Sequence, residues 1–295
     1  MKNLTLRQFR YFEALARHGH FGRAAEASAI SQPALSVQIR EMEETLGVAL
    51  FERGPRGVTL TGVGREVAGR VRDILRHVDE LGDLARLSRG ALSGRVRLGI
   101  IPTVAPYLLP RLTEALAAAY PGLELDLRET ITPRLVEALE QGTLDAAIVA
   151  LPVSEPSLAE APLLSEAFVL VRPAAEADRP MPDPAALARM KLLLLEEGHC
   201  FRDQALEVCA LRPNARRHGL EAASLSTLVQ MVGAGLGVTL IPEMAVAVEA
   251  RSAPVAIGRF PDPPPARSIG LVWRRTSPLG PQLAELARTL RDGLG

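Results

Sequence analysis

Phe21-Gly22-Arg23-Ala24-Ala25-Glu26-Ala27-Ser28-Ala29-Ile30-Ser31-Gln32-Pro33-Ala34-Leu35-Ser36 decides the N-terminal fold. Phe21 to Ala27 is a short, alanine-rich helix and Ser28 to Ile30 a turn; Ser31 caps a further helix that carries Pro33 in its first turn. Upstream, Leu6, Phe9, Phe12, Leu15 and Ala16 recur at helical spacing behind Thr5, and Gly19 ends that helix. The three helices have helix-turn-helix spacing. On the third, Leu35, Ile39, Met42 and Leu46 form an apolar stripe, while Gln32, Ser36 and Arg40 fall four apart on another face. A polar stripe is usually a solvated helix face. Here the surrounding spacing makes Ser31, Gln32, Pro33, Ser36 and Arg40 candidates for contact with double-stranded DNA, because Gln and Arg make bidentate contacts to base edges in the major groove.

Working outward, Leu50 to Leu60 reads as two short strands around a Gly/Pro turn, with Arg53 and Arg56 near its tip to hold backbone phosphates. Residues 1–60 are thus expected to form a winged helix-turn-helix DNA-binding domain. Thr61 can cap a long helix to about Arg89, in which Val67, Val71, Ile74, Val78, Leu81 and Ala85 alternate at spacings of four and three. That is a coiled-coil seam, and residues 61–91 are expected to be a linker and dimerisation helix. Packing of the seam on its own domain is the competing use.

From Leu92 the pattern changes to alternating strands and helices. Strands are expected at Val96–Ile101, Glu124–Arg128, Asp145–Ala150, Phe168–Arg172, Lys191–Leu195, Val238–Ile241 and Ile269–Trp273. Helices are expected near Pro106–Ala119, Pro133–Gln141, Phe201–Ala210, Ser224–Gly233 and Pro278–Arg291. Residues 92–295 therefore read as an α/β domain with largely parallel sheets. Subdomain I is expected at about 92–164 and 267–295 and subdomain II at about 165–266, with a cleft between them. Pro102-Thr103 and Glu196 to Cys200 fall at strand ends that face such a cleft. Gly233-Ala234-Gly235-Leu236-Gly237 follows a helix and precedes a strand, the reverse of a dinucleotide-binding order, and reads as a turn.

Cys200 and Cys209 are the two cysteines of the chain. If the intervening segment is helical, nine residues carry the sulfurs about 13.5 Å apart along the axis and onto opposite sides of it. A disulfide needs Cα atoms within about 7 Å, so joining the pair would require the helix to unwind, and oxidation would become a change of shape. Burial in a core is the commoner fate of a free Cys. His199, Arg202 and a helix N-terminus beside Cys200 favour the reactive thiolate, whereas Glu196, Glu197 and Asp203 oppose it.

The 295 residues suffice for about two domains, and 47% hydrophobic content at zero formal net charge describes a soluble globular protein rather than a disordered one. Residues 1–95 hold 15 Lys/Arg against 11 Asp/Glu, the mildly basic part. No signal peptide, lipidation motif or membrane-spanning run is found, so a cytoplasmic location is expected, where a disulfide would be transient or sensing. The Cys and His spacings suit no zinc site, and neither metal nor cofactor is expected.

Phe21-Gly22-Arg23-Ala24-Ala25 followed by Ser31-Gln32-Pro33-Ala34-Leu35-Ser36 and Leu46-Gly47 resembles the winged helix-turn-helix of the LysR-type transcriptional regulators. Ile101-Pro102-Thr103-Val104-Ala105-Pro106-Tyr107-Leu108-Leu109-Pro110, Gly198-His199-Cys200-Phe201-Arg202-Asp203-Gln204 and the distance to Cys209 resemble the hydrogen-peroxide sensors of that family. The resemblance covers essentially the whole chain, apart from Leu211 to His218, and implies a regulatory domain with the fold of periplasmic binding proteins. It further implies a homotetramer built as a dimer of dimers; RNA polymerase is a further expected partner, and no membrane is expected. By the same resemblance, Cys200 would be the peroxidatic and Cys209 the resolving cysteine, and Thr103, Thr132, His199 and Asp203 would bind peroxide. Two other functions compete: a LysR-type regulator responding to a small organic metabolite, and a thiol peroxidase.

Overall fold

The structure, a computed structural model, describes residues 4–54, 57–87, 92–209 and 220–294. The chain divides into two compact units, Met1–Ala85 and Arg86–Gly295. The first contains α1 (Leu6–His18), α2 (Phe21–Ala27), α3 (Gln32–Leu46), a hairpin of β1 (Phe51–Gly54) and β2 (Gly57–Leu60), and α4 (Gly62–Leu87). Local chemistry sets its boundaries. Thr5 and Gln8 form a capping box at the start of α1, and Gly19, at φ 60°, closes that helix where a side chain would be strained. The Gly19 carbonyl then accepts from Val58 N of β2 at 2.9 Å, which pins the wing to the helical core. His20 Nδ1 accepts from Gly22 N at 3.1 Å to cap α2, and Ser31 Oγ accepts from Ala34 N at 3.3 Å to cap α3.

Phe12, Leu15, Ala24, Leu35 and Met42 are fully buried at the centre of this unit. Ala68, Val71 and Leu75 of α4 join the same core, with Val67 packed at its edge. The expected seam is therefore divided: Val67 and Val71 are used within the unit, whereas Ile74 and Leu81 remain 40% and 65% exposed. The side chain of Ala85 lies outside the described residues.

The second unit runs β3 (Gly94–Ile100), α5 (Ala105–Ala119), β4 (Leu123–Glu129), α6 (Thr132–Glu140), β5 (Ala146–Leu151), β6 (Leu158–Pro173), a 3-10 turn (Ala174–Glu176), α7 (Pro184–Leu187) and β7 (Leu194–Leu195). It continues with α8 (Cys200–Val208), β8 (Glu221–Ala222), α9 (Leu225–Gly233), β9 (Thr239–Pro242), α10 (Glu243–Glu249), β10 (Val255–Arg259), β11 (Ala266–Arg274) and α11 (Gly280–Leu294). One sheet has the order β10-β6-β11-β5-β3-β4, with β9 also on β6, and β7 pairs β8 separately. Two cores fill the unit. One is built around Leu98, Leu112, Ile148, Leu271 and Leu286; the other around Phe168, Leu193, Phe201, Leu228 and Ile241. These are two α/β subdomains, and β6 and β11 carry the chain out of the first and back into it.

That crossing corrects the expectation of largely parallel sheets. β3 pairs in parallel with β4 and β5, and β7 with β8, but β11 is antiparallel to both β5 and β6, as are β9 and β10 to β6. A strand leaving a subdomain and the strand returning beside it must run in opposite directions. The expected strand Phe168–Arg172 is the far end of the 16-residue β6. Its near end, with Pro162 and three alanines, lacks a strand composition; Pro162 is accommodated where the register shifts opposite Ile269 and Gly270, at a bulge. Short elements α7, α10, β8 and β10 carried no periodic signal. Gly233 ends α9 and β9 begins at Thr239, so the glycine-rich segment between them is a helix-to-strand turn.

Candidate functional site

α8 is delivered by a loop in which Gly198 adopts φ 93°, and a Cβ there would lie 2.7 Å from Ile131 Cδ1. Only glycine satisfies both the left-handed backbone and the close approach. His199 is the N-cap residue and makes no side-chain capping bond; Cys200 is the first helical residue and Cys209 the C-cap. Both thiols are free. Cys200 is half-buried against the core of the first subdomain, whereas Cys209 is 0% exposed in the core of the second. The helix between them holds the sulfurs apart, because nine residues of helix rise about 13.5 Å. Burial pushes the Cys209 thiol up to about 11, so at neutral pH it keeps its proton and is a poor nucleophile.

Cys200 opens onto a cleft of about 610 Å³ whose lining includes Thr132, Phe168, Asp203, Gln204, Glu207 and Arg267. Of the sequence-derived peroxide residues, the cleft brings Thr132 and Asp203 together with Cys200, while Thr103 and His199 are not on its lining. Thr103 is linked to it through Arg267. The Arg267 guanidinium donates to Thr103 Oγ1 at 2.9 Å, to the Thr103 carbonyl at 3.1 Å and to Glu166 Oε1 at 2.8 Å, and sits 5.2 Å from the centre of the Phe201 ring. With its lone pair engaged by Arg267, the Thr103 hydroxyl keeps a hydrogen to donate. Burial pushes the Glu166 carboxyl up, and Arg267 pulls it partly back. Phe201 packs edge-on against Phe168 at 5.3 Å, which anchors the residue next to Cys200 in the second core.

Among the described residues, Thr132 Oγ1 and Gln204 Oε1, which belong to lining residues, are buried and make no hydrogen bond. Arg267, Glu166 and Gln204 were not singled out from the sequence. Gln204 had a signal in its place beside Asp203; the Arg267–Glu166 pair spans 101 positions and had none. Burial lowers the His199 pKa from its ordinary value, against the pull of Glu196. Arg202 donates to the Leu195 carbonyl and to Glu221, each at 2.8 Å.

In the first unit, Gln32, Pro33 and Arg40 are exposed on α3 and Ser36 is half-buried. Ser31 has its hydroxyl engaged in the cap. Arg40 makes no ion pair among the described residues, so its guanidinium is available. Val37, one turn after Pro33, is exposed as well, an apolar contact of the kind a thymine methyl accepts. The Arg53 side chain and Arg56 lie outside the described residues.

Comparison with known proteins adds three kinds of likeness. The model of the LysR substrate binding domain matches residues 89–295, and that of the bacterial regulatory helix-turn-helix protein, lysR family, matches residues 6–65. The chain is similar to a probable hydrogen peroxide-inducible genes activator of Streptomyces viridosporus, 43% identical over 294 residues that cover 98% of this chain and 94% of the relative. Among solved structures it is similar to a cysteine-to-aspartate variant of full-length OxyR from Pseudomonas aeruginosa, at 36% identity and a TM-score of 0.76 over 99% of this chain and 96% of that one. A hydrogen-peroxide-bound cysteine-to-serine variant of OxyR from Corynebacterium glutamicum is similar at 35% identity and a TM-score of 0.67, over 99% of this chain and 93% of that one.

Proposed function

The chain belongs to the LysR family of bacterial helix-turn-helix regulators, and from that premise we propose that it is a DNA-binding transcriptional regulator switched by hydrogen peroxide through a reversible Cys200–Cys209 disulfide. The observation that carries this reading is the placement of the two free thiols at the ends of one short helix, one at a cleft and one in a core. In the first step the Cys200 thiolate attacks one peroxide oxygen, the O–O bond breaks, and sulfenic acid and hydroxide form. Thr132, Asp203 and Gln204 line the cleft with Cys200, and Arg267, also on its lining, holds Thr103. In the second step the Cys209 sulfur displaces the sulfenic oxygen, giving the disulfide and water. That step requires α8 to open, which releases Phe201 from the second core and from Arg267. Oxidation of a thiol thereby becomes a rearrangement at the strands that join the two subdomains.

Two features weigh against the competing functions. All three nitrogens of Arg267 are bonded to Thr103 and Glu166, so this cleft cation is not free to grip an organic carboxylate metabolite. Cys209 is sealed in a core, so its reaction with a sulfenic acid at Cys200 is coupled to local unfolding, the change of shape a switch needs. On the DNA side, α3 enters the major groove with Gln32, Ser36 and Arg40 toward bases, and Ile74 and Leu81 of α4 meet a second copy in a dimer that pairs into a homotetramer. RNA polymerase is the partner through which such a regulator acts. Among the described residues no helix is long and apolar enough to cross a membrane, and the proposed site of action is the cytoplasm. A footprint on the protein's own promoter with and without peroxide tests the whole reading. A footprint indifferent to peroxide overturns it.

A further inference from the structure

α5 buries Ala105, Leu108, Leu112 and Leu116 in the first core, yet Tyr107, on the same helix, packs against the second. Its hydroxyl donates to Glu249 Oε1 at 2.7 Å, and Ser226 Oγ donates to the same oxygen at 2.9 Å. Glu249, the last residue of α10, is 4% exposed, and among the described residues no cation pairs with it. A carboxylate buried without a cation depends on its hydroxyl donors. Of the two, Ser226 on α9 belongs to the same subdomain as Glu249, and Tyr107 alone crosses from the other.

We propose that Tyr107 and Glu249 are a positioning pair for the peroxide site, a clasp that sets the spacing between the two halves of the cleft. This rests on the peroxide reading above. The cleft is divided: Thr132 and Pro152 come from the first subdomain and Cys200, Asp203 and Gln204 from the second. Its dimensions therefore follow the relation between subdomains. Residues 103–107 are tied at both ends, Thr103 to Arg267 on the crossing strand and Tyr107 to Glu249 on α10. A reaction whose partners must meet within a fraction of an ångström is sensitive to such a tie even when it touches neither of them.

The test is the rate of sulfenic acid formation at Cys200 in the full-length reduced protein, trapped with dimedone, beside alkylation of the same thiol by iodoacetamide, which needs no peroxide geometry. Tyr107→Phe should lower the peroxide rate constant about tenfold and leave alkylation unchanged. Glu249→Gln keeps an acceptor for Tyr107 and should retain the peroxide rate. Ser226→Ala removes the other donor from the same carboxylate and should cost stability without slowing peroxide. If Tyr107→Phe does not fold, Glu249→Ala with Tyr107 in place carries the same comparison. Equal slowing by Tyr107→Phe and Ser226→Ala, or slowing of alkylation along with oxidation, would overturn the clasp. A fast wild type with an equally fast Tyr107→Phe sinks this inference alone, whereas a wild type inert at Cys200 sinks the peroxide reading with it.

Discussion

α3 and α8 are the two helices on which the proposed function turns, and they are built in opposite ways. α3 has 15 residues, a Ser31 cap, proline in its first turn and Gly47 in the left-handed conformation at its end. α8 has nine residues, an N-cap His199 that makes no capping bond and a C-cap that is itself one of the cysteines. Isolated helices shorter than about 12 residues are marginal, and a missing N-cap costs about 1 kcal/mol. Both helices bury an apolar face, but α3 adds capped ends and greater length, whereas α8 depends more on its packing. A helix that presents side chains to DNA must keep its shape. One that must open on oxidation cannot be self-sufficient.

The largest expected effect separates the two ends of α8. Cys200→Ser should abolish both rapid oxidation and the peroxide-dependent change in footprint. Cys209→Ser should still form a sulfenic acid that dimedone traps, but no intramolecular bridge. Mass spectrometry reads both outcomes, and dimedone on Cys209 before Cys200 would reverse the roles inferred from burial.

Next in size is Arg267→Ala. It leaves Glu166 in a buried site with its partner gone, and breaking a buried pair from one side costs about 3–5 kcal/mol. The loss should appear in chemical denaturation of the second unit and be largely recovered when Glu166 is replaced by Leu as well. A loss under 1 kcal/mol would show that the network behind α8 is not what holds it.

On α3 the effects should be smaller and separable. Arg40 is exposed and unpaired among the described residues, so Arg40→Ala should leave stability unchanged and reduce discrimination between operator and random duplex by about 1–3 kcal/mol. Equal losses on both duplexes would move Arg40 from base readout to backbone contact.

The same contrast explains what the sequence made legible. α3 could be read from its cap, its proline and its apolar stripe, because those signals are local and the helix is local. The cysteines were visible by identity, and the inference that a helix separates them needed only the rise per residue. The partial burial of His199 was not visible: adjacency to Cys200 suggested a cation, and burial lowers its pKa. Arg267 was equally hidden, since Thr103 and Glu166 are 164 and 101 positions away, and only the crossing of β6 and β11 brings them together. That crossing is also why the antiparallel pairing was missed: the far half of β6 reads as a strand, and its near half reads as nothing in particular.

The smallest expected effect tests the buried end of α8 alone. The folded chain holds the Cys209 thiol up to about 11, above the value of about 8.5 that it has when unfolded. Below the unfolded value both states keep the proton, and the stability from burying a neutral thiol is fully present. As pH rises from about 8.5 toward 11 only the unfolded chain ionises, unfolding releases a proton, and stability falls; above the folded value both states are charged and the contribution is gone. The loss should reach about 1 kcal/mol by about pH 9.5. Burial also raises the Tyr107 hydroxyl, which adds a slope of the same sign at higher pH, so the informative quantity is a difference between variants. Cys209→Ser, whose hydroxyl does not titrate, should lose this part of the alkaline slope, and Cys200→Ser should keep it. Denaturation curves from neutral pH to about 9.5 that are parallel for wild type and Cys209→Ser would mean that the second thiol is already open to solvent, and α8 would then have little to protect.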